Sequence, residues 1–160
     1  MRLSSMADYA VVTMCAASRR CGASDSVGDA RAAALGAARM SAGELARETG
    51  IPLPTVQKLV SQLVRGGLLH SARGAGGGLR LARPAAAISL ADIVEAVEGP
   101  IALTSCVEGA RQDCALEASC AVRPHWGVVN EALRGALADV PLTRLASAPQ
   151  VEQNNMELPA

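Results

Sequence analysis

The pattern of apolar and polar positions in the first 65 residues predicts three helices. Residues 6–19 place apolar side chains at helical spacing, which indicates the first helix. Ser41 and Glu44 form an S-x-x-E capping box, which predicts the start of a second, short helix. Pro54 suits the first turn of a third helix that runs to about Arg65. Two short helices joined by a tight turn are typical of a helix-turn-helix.

The third predicted helix is amphipathic. Its apolar stripe repeats at i, i+3, i+4, i+7 and i+8 and consists of Val56, Leu59, Val60, Leu63 and Val64. Its opposite face is polar and basic and offers Thr55, Gln57, Lys58, Ser61, Gln62 and Arg65. Such a face suits a helix that enters the major groove of DNA, and an ordinary helical hairpin is the alternative.

A glycine-rich β-hairpin is predicted directly after the helix pair. Two short strands at 68–72 and 79–82 enclose the glycine-rich tip at 73–78, where glycine permits positive φ angles. Arg73 and Arg80 flank the tip, within reach of a phosphate or a narrow minor groove. The tip lacks the Gly-Lys-Ser/Thr that a nucleotide-binding P-loop requires. The hairpin therefore favours a winged helix-turn-helix over an ordinary helical hairpin.

The second half of the chain predicts a helix, a loop and a long helix. The first begins after Ser89 and stops at Gly99, and the cysteine-bearing segment 104–122 shows no clear period. From Pro124 a long helix carries apolar residues at heptad spacing, namely Trp126, Val129, Leu133, Ala136 and Val140. This stripe suits pairing with a second copy of the chain, and packing against the chain's own first helix is the alternative.

The predicted fold is mainly α. We expect a winged helix-turn-helix DNA-binding domain at 1–100, interrupted by a flexible insertion at 20–40. A cysteine-rich cluster-binding loop follows at 101–122, and a long C-terminal dimerisation helix at 123–145. Residues 146–160 are expected to form a disordered tail.

Composition and charge narrow the class of ligand. Phe is absent and Tyr9 and Trp126 are the aromatic residues, so the chain lacks the stacking platforms that single-stranded nucleic-acid binders use. The net charge is zero, but residues 41–83, Arg47 among them, hold six Arg and Lys against two Glu. A basic block on the predicted helix-turn-helix favours contact with the phosphates of double-stranded DNA. A solvated charged face is the alternative.

The chain is expected to be cytoplasmic and not an enzyme. It contains no run of about 18 apolar residues and no apolar core of a signal peptide near its first residue. Five cysteines in a cytoplasmic protein indicate reduced thiols or metal ligation rather than structural disulfides. No Ser-His-Asp arrangement or Walker motif is present.

Cys106, Cys114 and Cys120 form the most specific chemical feature, with the spacing C-x7-C-x5-C. Thiolates bind iron–sulfur clusters and zinc, and this spacing is wider than the C-x2–4-C of most zinc sites. It therefore favours a cluster, with a structural zinc and unliganded buried thiols as alternatives. Either Asp8 or His125 could supply the fourth ligand.

These residues together resemble a known family. The segments 8–11, 45–56, 73–82 and 88–99, with the cysteine loop, are similar to the Rrf-type, IscR-like family of bacterial winged-helix transcriptional regulators. The resemblance covers nearly all of residues 1–145 except 20–40. The run from Glu98 to Leu103, followed by this cysteine spacing, resembles the branch that regulates SUF iron–sulfur assembly genes.

The resemblance implies a homodimeric repressor or activator that binds promoter DNA and holds a 2Fe–2S or 4Fe–4S cluster. Three cysteines and one varying residue ligate the cluster in this family. Arg123 stands where one branch has a ligating His, and Asp8 matches the Asp that another donates across the dimer. The DNA contacts would come from Arg47, Thr55, Gln57, Lys58, Ser61, Arg65, Arg73 and Arg80, with Gln57 at a base edge and Arg73 in the minor groove. An iron–sulfur scaffold or electron carrier without a DNA role is a further alternative.

Overall fold

The computed structural model describes residues 3–22, 39–72, 74, 77–111, 113–116 and 118–147. Its helices are α1 (Ser5–Gly22), α2 (Ala42–Thr49), α3 (Leu53–Arg65), α4 (Leu90–Glu98), α5 (Arg123–Ala138) and α6 (Leu142–Ala146), with a 3-10 turn at Ala85–Ala87. The strands are β1 (Leu69–Ala72) and β2 (Gly78–Leu81), which pair antiparallel. This mainly helical fold with one hairpin is the fold that the sequence predicts.

The helix-turn-helix consists of α2 and α3, and local chemistry sets its boundaries. The Ser41 hydroxyl accepts the Glu44 N–H at 3.2 Å, and the Glu44 carboxylate accepts the Ser41 N–H at 2.7 Å, which confirms the predicted capping box. This backbone hydrogen bond from Ser41 is the main reason why the pKa of Glu44 is lowered. Gly50 ends α2 with φ of 72°, a conformation that glycine adopts without steric cost.

The core forms where α1 passes between the other helices. α1 packs against α2, α3, α4 and α6, and its Ala10 and Met14 are fully buried. The apolar stripe of α3 faces them, with Val56, Leu59 and Leu63 completely excluded from solvent. Small residues on α1 let these helices approach closely, and the aliphatic side chains of α3 fill the space between them.

A residue that precedes α2 pairs with the hairpin that follows α3, and the sequence did not predict this contact. In the hairpin His70 stands opposite Arg80. Met40, just before α2, pairs with Leu79 of β2 through N–H···O distances of 3.2 and 2.7 Å, and its side chain is buried. The expected insertion at 20–40 therefore begins within α1 and ends on a residue of the core. Its central part, 23–38, lies outside the described residues.

The segment 123–145, expected to form one dimerisation helix, is divided between α5 and α6, and α6 continues to Ala146 of the expected tail. Ser89 pairs with Pro141, and Leu142 N–H donates to the Ile88 carbonyl at 2.7 Å. The Leu142 side chain is fully buried. The chain turns after α5 because this leucine is buried in the core of the winged helix. The expected tail lies outside the described residues from 148 onwards. No described helix is long and apolar enough to cross a membrane.

Candidate nucleic-acid interface and cysteine loop

The free face of α3 is polar and open to solvent. Gln57, Lys58, Ser61 and Arg65 are exposed, and Thr55 is partly exposed. The Ser61 hydroxyl donates to the Gln57 carbonyl at 2.9 Å, so this side chain lies along the helix. Since the opposite side of α3 is held in the core, the helix presents this polar surface in one fixed orientation. Such a surface can offer hydrogen bonds to base edges and phosphates.

Exposed basic residues lie on α3 itself and on neighbouring elements of the winged helix. Arg47 is exposed in the last turn of α2, and Arg80 is exposed on β2. In the part of the chain that the structure describes, Lys58, Arg65 and Arg80 form no ion pair with a carboxylate, whereas Arg20 pairs with Glu48 at 2.6 Å. Unpaired cations on a surface retain their charge for phosphates. Arg73, the predicted minor-groove residue, lies outside the described residues.

The three loop cysteines lie in irregular structure between α4 and α5. Cys106, Cys114 and Cys120 are each partly exposed and unbonded to one another, and the Cys106 Sγ lies 3.2 Å from the Thr104 Oγ1. Cys15, in contrast, is buried in α1, and burial raises the pKa of its thiol. The loop cysteines thus differ from the core cysteine in being reachable from solvent.

The described structure does not gather these cysteines into a metal site. Among the residues that it covers, no three His, Cys, Asp or Glu side chains form a group that could hold a metal ion. Asp8 is exposed in the first turn of α1, and His125 is exposed near the start of α5. The donor set still suits an iron–sulfur cluster, because three accessible thiols within one loop supply the soft ligands that iron–sulfur chemistry requires.

Asn130 fastens the start of the cysteine loop to α5. Its Oδ1 accepts the Leu103 N–H at 2.9 Å, and its Nδ2 donates to the Ile101 carbonyl at 2.9 Å. The residue is 9% exposed. Sequence reasoning missed Asn130, because it considered only the apolar heptad of this helix. The available signal was an Asn in the middle of a helix, where its propensity is low.

A bidentate ion pair joins α5 to α4. Arg134 Nε lies 2.9 Å from one Glu95 oxygen, and Arg134 Nη2 lies 3.1 Å from the other. The hydrogen bond with Glu95 raises the pKa of Arg134. Glu95 also accepts the Ile101 N–H at 3.5 Å. The same carboxylate thus contacts α5 and the backbone that leads into the cysteine loop.

The other side of α4 packs tightly against the end of α3. A Cβ placed on Gly66, directly after α3, would lie 2.7 Å from the Cβ of Ala96, so only glycine fits there. Gln62 of α3 donates from Nε2 to the Val97 carbonyl at 3.1 Å. α4 is therefore the element that contacts both α3 and the helix that holds the cysteine loop.

A helix-turn-helix followed by an antiparallel wing, with a polar and basic face on its second helix, defines a winged-helix DNA-binding protein. The profile of the Rrf2 family, described as an iron-dependent transcriptional regulator, matches residues 31–148. The chain belongs to this family.

Individual relatives agree with this assignment. An HTH-type transcriptional regulator of Neisseria meningitidis serogroup A is 34% identical over 77% of each chain. IscR of Photorhabdus laumondii is 30% identical over 68% of this chain and 65% of its own length. Protein aau3 of Rhizobium meliloti is 39% identical, and the alignment spans 56% of its length and 59% of this chain.

A solved structure shares the fold. CymR, the global cysteine regulator of B. subtilis, superposes with a TM-score of 0.64 and 25% identity over 91% of this chain and 96% of its own. The Rrf2 family, the Neisseria relative and CymR are described as regulators, and such proteins are not enzymes. The chain is therefore an IscR-like, DNA-binding transcriptional regulator, as the sequence predicts.

Proposed function

We propose that this regulator is a cytoplasmic iron–sulfur-cluster protein whose cluster state sets its affinity for promoter DNA, with SUF iron–sulfur assembly genes as its targets. The observation that carries the proposal is the joining of three accessible thiols, in one loop, to a winged helix. Its family is described as iron-dependent, which supports iron as the metal. The run from Glu98 to Leu103 supports the SUF targets.

The DNA-binding part follows from the exposed face of α3. This helix would enter the major groove, where the Gln57 amide can pair with a base edge. The basic residues around it would contact phosphates, namely Arg47, Lys58, Arg65 and Arg80, while Thr55 and Ser61 would add neutral hydrogen bonds. Arg73 at the wing would enter the minor groove. Phosphate contacts position the protein, and Gln57 contributes to sequence preference.

The cluster would be held by Cys106, Cys114 and Cys120, with Asp8 or His125 as the fourth ligand. When bound, the cluster supplies a centre that is sensitive to iron supply and redox state. The protein's own part is to present thiolates in a loop whose polar neighbours, Thr104 among them, leave the sulfur atoms accessible. Asp8 is exposed on α1, so its carboxylate could ligate the cluster of a second copy of the chain.

A homodimer agrees with the way in which winged-helix proteins bind DNA and with the exposed apolar surface of α5. Winged-helix dimers place two recognition helices about one helical turn of DNA apart. On α5, Val129, which belongs to the predicted heptad stripe, is 47% exposed. An exposed large apolar side chain on a helix favours coverage by a partner, and a heptad stripe favours an identical helix.

The test is anaerobic purification followed by an absorption spectrum, iron and sulfide assays, and gel shifts on DNA upstream of the gene. We expect a coloured protein, loss of colour and iron in Cys114→Ala, and a change in DNA affinity between loaded and unloaded forms. Cys15→Ala removes a cysteine outside the loop and should keep the colour, which makes it the matched control.

Two outcomes would contradict the proposal. A colourless protein with stoichiometric zinc, bound to the same DNA, would identify a regulator with a structural zinc. A coloured protein whose weak DNA retention is unchanged by Gln57→Ala and Lys58→Ala would identify an iron–sulfur scaffold or electron carrier instead.

A further inference from the structure

The attachment of helix α5 to the winged helix includes two polar side chains, Asn130 and Arg134. All sixteen residues of α5 are described, and among them Asn130 alone is buried. Val128 and Val129 lie on the same helix and are exposed. Helices usually dock through apolar residues, so a buried amide at this position indicates a role in orientation rather than in adhesion alone.

Asn130 holds the backbone that enters the cysteine loop. Its amide bonds both Ile101 and Leu103 at 2.9 Å, and Cys106, the first cysteine, follows three residues after Leu103. A buried amide must keep both bonds, because leaving either backbone group unpaired costs its desolvation. The loop entrance therefore favours two discrete arrangements, held or released, over gradual displacement.

From Ile101, a short series of contacts through α4 leads to the recognition helix α3. Ile101 also donates to Glu95 of α4, and α4 contacts α3 through Ala96, which faces Gly66, and through the Val97 carbonyl, which accepts from Gln62. The close packing at Gly66 and the hydrogen bond from Gln62 to the Val97 carbonyl hold α3 against α4. A change in the position of Ile101 would thus shift α4 and α3 together.

We propose that Asn130 is the positioning residue that couples the cysteine loop to the recognition helix. It contacts neither DNA nor a thiol, and it acts by fixing Ile101 and Leu103 relative to α4. The inference rests on the proposed function and assigns the residue through which that regulation passes. A tenfold change in DNA affinity corresponds to about 1.4 kcal/mol, which is comparable with the net contribution of a single hydrogen bond.

The test compares wild type, Asn130→Asp and Glu131→Gln in loaded and unloaded form. Asn130→Asp is nearly isosteric and keeps the acceptor for Leu103, but it sets a carboxylate oxygen against the Ile101 carbonyl. Glu131→Gln changes the adjacent, exposed residue and serves as the control. The readouts are cluster absorbance, the ratio of DNA affinities between the two forms, and amide hydrogen exchange of 101–107 in the unloaded protein.

We expect Asn130→Asp to keep its cluster absorbance while its affinity ratio falls from the wild-type value to within about twofold of one. Exchange of 101–107 should be at least about tenfold faster in this variant, and Glu131→Gln should match wild type. A wild-type ratio retained in Asn130→Asp, despite the faster exchange, would overturn the inference alone. A wild-type ratio of one would overturn the proposed function as well.

A second variant guards against a loss of folding. If thermal melting shows that Asn130→Asp is unfolded, Arg134→Gln takes its place. This variant weakens the contact between α5 and α4 by removing the ion pair with Glu95. Because the Arg134 guanidinium is partly exposed, the protein should remain folded. The expected result is again a smaller affinity ratio with unchanged cluster absorbance. An unchanged ratio in a folded Arg134→Gln protein would contradict coupling through α4.

Discussion

Gln57, Lys58 and Ser61 lie on the solvent side of α3, while Val56, Leu59 and Leu63 fill the core beneath them. The surface residues and the core residues lie only one or two positions apart along α3, but their environments differ completely. This arrangement makes the polar side chains replaceable without loss of the fold, because none of them supports the core. Their substitution therefore tests DNA contact separately from stability.

Lys58→Ala and Gln57→Ala should weaken DNA binding in different ways. Lys58→Ala removes one phosphate contact, so binding should fall uniformly across sequences and the slope of log affinity against log salt should decrease by about 1. Gln57→Ala should leave that slope unchanged and reduce the preference for the operator over a one-base variant by about 1–3 kcal/mol. Fluorescence anisotropy over a salt series measures both, and equal slopes in wild type and Lys58→Ala would disprove the contact.

At the scale of elements, α4 lies between the recognition helix α3 and the helix α5 that holds the start of the cysteine loop. Its start is fixed by a capping box in which the Ser89 hydroxyl accepts the Asp92 N–H at 3.1 Å and the Asp92 carboxylate accepts the Ser89 N–H at 2.8 Å. Partial burial opposes ionisation of Asp92, but these bonds and Arg83 outweigh it and lower its pKa. The cap gives α4 a fixed start, and its contacts with α3 and α5 fix its sides.

Gly66→Ala should separate α3 from α4. The new Cβ would lie 2.7 Å from the Ala96 Cβ, so the helices must move apart, and we expect the free energy of unfolding to fall by about 1–3 kcal/mol. Denaturant unfolding followed by circular dichroism measures the change.

Two further variants test the physical reason. Ala96→Gly added to Gly66→Ala makes room for the new methyl group and should recover part of the loss. Gly43→Ala, whose Cβ would meet only the Ser41 hydroxyl at 3.8 Å, should instead stabilise α2 by about 0.5–1 kcal/mol. A Gly66→Ala protein as stable as wild type would show that the contact is not tight.

At the scale of the whole molecule, one face of α5 is attached to the body and another is left to solvent. Asn130 and Arg134 face the loop entrance and α4, whereas the heptad residues Val129 and Ala136 are exposed. The proposed regulation within a chain would use the first side of this helix. The proposed dimer would use the other side.

Val129→Glu should weaken the proposed dimer, because it places a charge in an apolar stripe that a second copy would cover. Light scattering after size-exclusion chromatography should show a mass shift from dimer towards monomer at micromolar concentration. Val128→Glu makes the same change at the neighbouring position, outside the heptad, and should remain dimeric. A dimeric Val129→Glu protein would place the interface elsewhere.

The sequence by itself determined the parts that depend on local order. Periodicity and caps predicted α2, α3 and the hairpin, because a capping box or an apolar stripe acts over a few residues. The exposed polar face of α3 was equally predictable, since it is the side of the helix opposite the stripe. The presence of three thiols in the loop between α4 and α5 followed from residue type alone.

Only the tertiary structure decided how these parts are joined. Met40 pairs with Leu79, Leu142 enters the core and Asn130 holds Ile101, each across a long separation along the chain. No local period encodes such contacts, because they depend on which surfaces remain available after the helices pack. The contacts that connect the cysteine loop with α3 could therefore not be predicted from sequence patterns. Such patterns indicate which residues a segment buries, but not which distant segment covers them.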